Sequence, residues 1–308
     1  MSTSSRTIRT IRTGLLGLCL ATAAAAAHAA PTPALERIKG AGSMTIGYVD
    51  GTPPFSSMGG QAQPVGYSID LCKHVVDAVK AKLGIASLNV KYVPLVPDNV
   101  LDSVSKGEVD LMCTPTVDTL KRRERVSYSI PVLNGGIGVA VRKDASDTLL
   151  RVLHGEAAHS GPTWRATINR GLANHTYAVR QGSVGEDWVR QQIKRLGVIA
   201  TVVTAKDEAE GVQMLLDHKA DAFFSERVLL EEAASKGKEA DKLMVVNRNF
   251  NYQPLALMMG RNDDDFRLVV DTALSQYYRA PQFAEQYLRY FGPFDERQAQ
   301  LFQIYARP

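Results

Sequence analysis

Residues 105–116, SKGEVDLMCTPT, and residues 217–226, DHKADAFFSE, run through the same succession of residue types. Each begins at the polar end of a helix, passes an aspartate (Asp110, Asp221), continues as a short apolar strand, and breaks into a polar loop that opens another helix. One such unit belongs to an α/β lobe; two of them predict two similar lobes in one chain. In α/β sheets ligands settle beyond the C-terminal ends of the strands, where backbone N–H groups and helix N-termini point outward. Candidate functional residues are therefore sought just after each strand.

The surrounding sequence fits the same alternation. SMTIGYV reads as a strand, and IDLCKHVVDAVKAKLG as a helix with Asp70 in its first turn and Gly84 as its stop. SLNVKYVPL, EVDLMC and GGIGVAVRK (residues 135–143) read as further strands, and DNVLDSVSKG as a short helix ended by Gly107. Residues 144–175 are polar and weakly periodic and read as a surface insertion anchored by Trp164. The pattern then restarts with TYAVRQG, a helix opened by Ser183 with Glu186 and Asp187 in its first turn, and more strand–helix pairs. YQPLALMMG is the last expected strand, followed by two helices near residues 264–278 and 280–292. PTPALERIKGAG, before the first strand, reads as a linker, and the alternation as a whole predicts a parallel sheet.

The N-terminus is an address. Arg6, Arg9 and Arg12 precede an apolar run too short to span a bilayer comfortably, which ends in Ala27-His28-Ala29. Residues 1–29 are therefore expected to be a signal peptide cleaved after Ala29; Leu18 before Cys19 does not suit a lipidation site. Three of the positive charges leave with the leader, so the formal +4 of the whole chain falls to about +1. That balance, with few aromatics and no lysine-rich run, argues against nucleic acid as a partner. Of the remaining cysteines, Cys72 falls in an expected helix and Cys113 at a strand end; in an oxidising compartment they can pair or stay as two small buried side chains. There is no metal-ligand spacing, no nucleotide loop and no Ser-His-Asp constellation, and His74, His154, His159, His175 and His218 are scattered as surface or packing residues. No cofactor is expected.

VGYSIDLCKHVVDAV, KGEVDLMCTPTVDTLKRRERVSYSIP, QGSVGEDWV and KADAFFSERVLL, taken in that order, resemble the family 3 solute-binding proteins, the periplasmic receptors of polar amino-acid ABC importers. The resemblance implies a type II periplasmic-binding-protein fold. Lobe 1 would come from residues 30–139 and 250–308 and lobe 2 from residues 140–249. Two crossovers near Gly136–Lys143 and Asn247–Gly260 would form the hinge. It implies a monomeric periplasmic receptor, not an enzyme, whose partners are a small solute with a carboxylate and the membrane permease of an ABC importer.

The same resemblance supplies a ligand-binding set. Arg122 stands where the family keeps the arginine that grips the substrate α-carboxylate, a task suited to a rigid guanidinium fork; Arg123 is the fallback. Thr116 resembles the hydroxyl that shares the carboxylate, although Thr114 and Thr119 compete and Asp118 or Thr119 can equally be a helix cap. Gly182, Ser183 and Val184 resemble a loop whose N–H groups bind the other side of the carboxylate. Glu226 replaces an aspartate that pairs with the substrate amine. Asp50, Thr52 and Phe55 are candidates to line the wall. Val49 and Val100 occupy places where receptors for acidic amino acids carry arginine. This predicts a smaller or more apolar pocket and a ligand without a second carboxylate. The competing readings are a periplasmic dehydratase on the same scaffold, with Glu226 as acid or base, and an accessory or sensory binding protein.

Overall fold

The computed structural model describes residues 33–158, 169–236 and 239–308. The expected leader with its cleavage after Ala29, Cys19, His159 and Trp164 lie outside them. In chain order the strands are β1 (Ser43–Val49), β2 (Asn89–Leu95), β3 (Leu111–Val117), β4 (Val126–Arg142), β5 (Thr176–Arg180), β6 (Thr201–Ala205), β7 (Ala222–Glu226), β8 (Leu243–Val245) and β9 (Asn251–Gly260). The helices are α1 (Ala34–Ala41), α2 (Tyr67–Leu83), α3 (Val100–Ser105), α4 (Leu120–Arg123), α5 (Asp147–His154), α6 (Val184–Leu196), α7 (Glu208–Leu216), α8 (Arg227–Lys236), α9 (Asp264–Tyr278), α10 (Pro281–Phe291) and α11 (Glu296–Tyr305).

These nine strands join one sheet in the order β2-β1-β3-β9-β4-β7-β5-β6, with β8 beside the far end of β4, and two further short strands, Ser57–Met58 and Pro64–Val65, pair in a separate two-stranded sheet. The expectation of a parallel sheet holds at both ends, where β2, β1 and β3 run together and β5, β6 and β7 run together. It fails in the middle: β9 is antiparallel to β3 and β4, and β4 is antiparallel to β7. β9 follows β8 with no helix between them, and antiparallel neighbours need no long crossover connection.

The strand expected at 135–143 is the second half of a 17-residue strand, β4. From Val126 to Ile137 it pairs with β9; from Ile137 to Val141 it pairs with β7, and its last residues pair with β8. β4 thus changes partners at Ile137, and the chain runs from β8 into β9 across residues 246–250.

Each half packs both faces, and period-2 alternation sorts the side chains. In the second half Ile137, Val139 and Val141 join Tyr177, Val179, Ala222 and Phe224 on one face, while Ala140, Ala178 and Phe223 meet Val212, Leu215 and Leu230 on the other. In the first half α2 lays Ile69, Cys72, Val75, Val76 and Val79 on the sheet at helical spacing, and Gly84 ends it with a left-handed φ of 64°. The sulfurs of Cys72 and Cys113 are bonded, tying α2 to β3 across a Cα separation of 6.2 Å. The stretch read as a linker contains α1, whose Ile38 is buried in this core. The helix α11, which sequence patterning does not reveal, adds Phe302 to an aromatic cluster with Phe283, Tyr287 and Phe294. Among the described residues no helix is long and apolar enough to cross a membrane.

Candidate functional site

Four strand ends converge on the region between the two halves of the sheet: β1 at Val49, β3 at Val117, β5 at Arg180 and β7 at Glu226. There a cavity of about 90 Å³ is lined from the first half by Phe55, Thr116 and Arg122, from the middle strands by Ile137, Gln253 and Leu255, and from the second half by Arg180, Ser183, Val184, Gly185, Ser225, Glu226 and Leu229. A wider cleft of about 940 Å³ shares Arg180 and Leu229 with it and is also walled by Asp50, Thr52, Asp98, Lys206 and Glu208.

Six of the nine expected ligand residues, Phe55, Thr116, Arg122, Ser183, Val184 and Glu226, thus meet at one cavity. Asp50 and Thr52 do not; they stand on the wall of the wider cleft, and their polar atoms serve their own loop. Asp50 Oδ1 accepts from Gly51 N–H (2.8 Å) and Met58 N–H (2.6 Å), and Thr52 Oγ1 donates to Val49 O (2.9 Å). Gly182 lies outside both cavities. Its N–H is spent on Glu186 Oε2 (2.9 Å), because Glu186 reaches back while Ser183 Oγ caps Glu186 N–H (3.1 Å), a reciprocal capping arrangement. The donors left at the cavity are the N–H groups of Val184 and Gly185, which have no partner among the described residues.

The three competing threonines separate cleanly. Thr114 is buried and bonded to Ser56 Oγ (2.5 Å) and Val49 N–H (2.8 Å), and Thr119 caps α4 by accepting from Arg122 N–H (3.2 Å). Thr116 faces the cavity, 3.4 Å from Tyr128 Oη. The arginines separate too. Arg123 forms a two-bond ion pair with Asp118 (Nε to Oδ1, 2.6 Å) and is exposed. Arg122 has no carboxylate partner among the described residues; Nη1 donates to Val117 O (2.9 Å), which steadies the fork and leaves its outer edge on the cavity.

Glu226 keeps a little surface on the cavity and is otherwise enclosed. Burial pushes its carboxyl up to about 7, against the N–H groups of Gly136 and Arg227, which favour the ionised form. Nearby Glu208 pushes it further up and Arg180 pulls it back. Gly136 N–H donates to Oε1 at 2.7 Å. The neighbouring Gly135 has to be glycine for this contact, since a Cβ there would lie 2.6 Å from Oε1 and 2.8 Å from Leu255 Cγ.

Arg180 was not foreseen. It sits one residue ahead of the quoted QGSVGEDWV stretch, at the end of a strand whose other residues are ordinary core. Its Nε lies 3.3 Å from Glu208 Oε1, which also accepts from Ser225 Oγ (2.8 Å). The cavity therefore does hold a second arginine, contrary to the expectation drawn from Val49 and Val100; it comes from the opposite wall. Gln253 was missed as well: it is buried at the cavity, and its amide forms no hydrogen bond among the described residues. Among the described residues there is no group of side chains that could hold a metal ion.

Residues 44–293 match the model of the bacterial extracellular solute-binding proteins, family 3. The chain belongs to this family. Among relatives of this solute-binding protein is the L-glutamate/L-aspartate-binding protein of Pseudomonas aeruginosa, 28% identical over 261 residues that cover 84% of this chain and 80% of the relative. Another is the glutamate/aspartate import solute-binding protein of Escherichia coli K12, 23% identical over 257 residues, covering 83% and 79%. Similar solved structures include an ancestral amino-acid-binding protein that is a precursor of cyclohexadienyl dehydratase (TM-score 0.66, 21% identity, covering 84% of this chain and 99% of that one). An ancestral arginine-binding protein bound to arginine matches with a TM-score of 0.63 at 21% identity, covering 82% and 99%. These are type II periplasmic binding folds, and this solute-binding protein shares that architecture.

Proposed function

We propose that this solute-binding protein is the periplasmic receptor of an ABC importer and that its solute is a free amino acid. The observation that carries the reading is Arg122: among the described residues its guanidinium fork has no carboxylate partner, and it is held by Val117 O on a cavity opposite the N–H groups of Val184 and Gly185, which have no partner there either. Such an arrangement suits an α-carboxylate gripped from both walls. Thr116 supports the same group, Glu226 receives the amine, and the neutral amide of Gln253 meets either. Relatives named for glutamate and aspartate support an amino-acid solute. Residues 30–139 and 250–308 would move against 140–249 as two lobes. β4 and β9 bend between them, and the membrane permease reads the closed form. The test is thermal unfolding of residues 30–308 with each amino acid in turn, since a ligand that binds the folded state alone raises its apparent stability. A shift that disappears in Arg122→Ala supports the reading; no shift with any amino acid overturns it.

A second reading rests on Glu226, whose carboxyl is held near 7 in the cavity, where a general acid or base would be poised. Turnover of a carboxylic acid bearing a β leaving group, lost in Glu226→Gln, would favour a dehydratase.

A further inference from the structure

Arg180 is the one cation of the small cavity that stands on the wall opposite Arg122, and it also borders the wide cleft. It is the throat between the two spaces. If the head of an amino acid is held by Arg122, Val184, Gly185 and Glu226, its side chain leaves the small cavity past Arg180. This inference rests on that placement of the head.

The guanidinium is only partly satisfied. Its contact with Glu208 runs through Nε at 3.3 Å, and its two terminal nitrogens form no hydrogen bond among the described residues. Ser225 Oγ holds Glu208 at 2.8 Å, so the carboxylate anchors the near edge of the guanidinium and leaves the far edge open. A half-buried fork with open donors is suited to an anion that can take two parallel bonds. The acidic groups further along the cleft are mostly engaged elsewhere. Glu232 pairs with Lys236, Glu239 pairs with Lys242, and Asp207 caps α7 through Glu210 N–H (2.8 Å). Asp50 and Asp98 are exposed, where water screens them.

We infer that Arg180 is the selectivity residue of this site and that the solute is an amino acid with a second carboxylate, which the open edge of Arg180 receives at the throat of the cavity. Glu208 is then the internal stand-in that holds the arginine ready. It also sets the limit: a side-chain anion must share Arg180 with Glu208.

The test is calorimetric titration of the protein with L-glutamate, L-aspartate, their amides L-glutamine and L-asparagine, and L-lysine, in the wild type and in Arg180→Gln, Glu208→Gln and Arg122→Ala. Thermal unfolding of each variant, run in parallel, checks that it is folded. The wild type is expected to favour at least one acid over its amide by roughly tenfold or more, because the pair differs only in the charge that Arg180 meets. Arg180→Gln should remove that preference while amide binding stays. Glu208→Gln should increase it, since Arg180 is then undivided; a pair that serves only to hold the lobe together predicts a decrease. Equal binding of acid and amide, a preference for lysine, or equal loss of acid and amide in Arg180→Gln overturns the inference. If amide or lysine binding is still lost in Arg122→Ala, the amino-acid receptor reading survives that failure; if nothing binds, both fall.

Discussion

Asp110 and Thr45 bond to each other twice: Thr45 N–H donates to Asp110 Oδ2 (2.7 Å), and Asp110 N–H donates to Thr45 O (2.8 Å). Asp221 and Thr176 repeat the arrangement in the other half, at 2.8 Å for both bonds. Each aspartate precedes one strand and closes the start of the neighbouring strand, where a backbone N–H would otherwise be left without a partner. Losing a charged acceptor there costs about 1–3 kcal/mol. Asp110→Ala and Asp221→Ala are each expected to lower the unfolding free energy by that order in urea denaturation, with Asp110 the more severe because it is buried and also pairs with Arg37.

The two adjacent arginines should behave as opposites. Arg122→Ala removes the contact assigned to the α-carboxylate and should weaken binding at least about 30-fold, from a loss of about 2–5 kcal/mol. Arg123→Ala breaks an exposed pair with Asp118 worth about 1 kcal/mol or less and should leave affinity unchanged. Titration of both variants with the solute found in the unfolding screen decides whether the site is assigned to the right arginine.

Glu226 gives binding a pH dependence whose sign is diagnostic. Its folded value, about 7, lies above the ordinary 4.5. Without ligand, its contribution to stability is complete below about pH 4.5 and is lost as pH rises through about 7, a change of about 3 kcal/mol. A ligand amine needs the ionised form, so affinity should be greatest above pH 7 and fall roughly 30-fold between about pH 8 and about pH 5.5. Glu226→Gln should flatten the profile. An affinity that rises on acidification would instead mean a ligand without an amine, to which the protonated carboxyl donates.

The Cys72–Cys113 bond closes a loop over a sequence separation of 41. A loop of that length stabilises by about 4 kcal/mol through the unfolded chain. Cys72→Ala/Cys113→Ala should lower the melting temperature with little change in solute affinity, because both residues sit in the core rather than at the cavity.

Legibility differed by kind of signal. The repeated aspartate–strand unit was readable because backbone pairing demands the same residue in both halves. The outer strands and α2 were readable because one period governs them. Thr116 and Glu226, at strand ends, and Arg122, in the short helix α4, are singled out in sequence by the family resemblance, and the structure brings all three to one cavity. The Gly182 N–H looks free in sequence, and only the structure shows Glu186 reaching back to it. Arg180 and Gln253 were hidden because each lies on a strand that otherwise reads as core. Their exposure to the cavity depends on which strands from distant parts of the chain become neighbours. The sense of β4 and β9 was hidden for the same reason.

The pairing of β3 with β9 joins Leu111 to Met259, so the first half of the sheet is completed by residues near the C-terminus. The strands from β5 to β8, by contrast, all lie within residues 176–245. A chain delivered N-terminus first therefore carries its opening strands for most of its length without the partner that seals them. Long-range closure of this kind is slow. The order of the strands thus delays completion of the first half of the sheet until nearly the whole polypeptide is available.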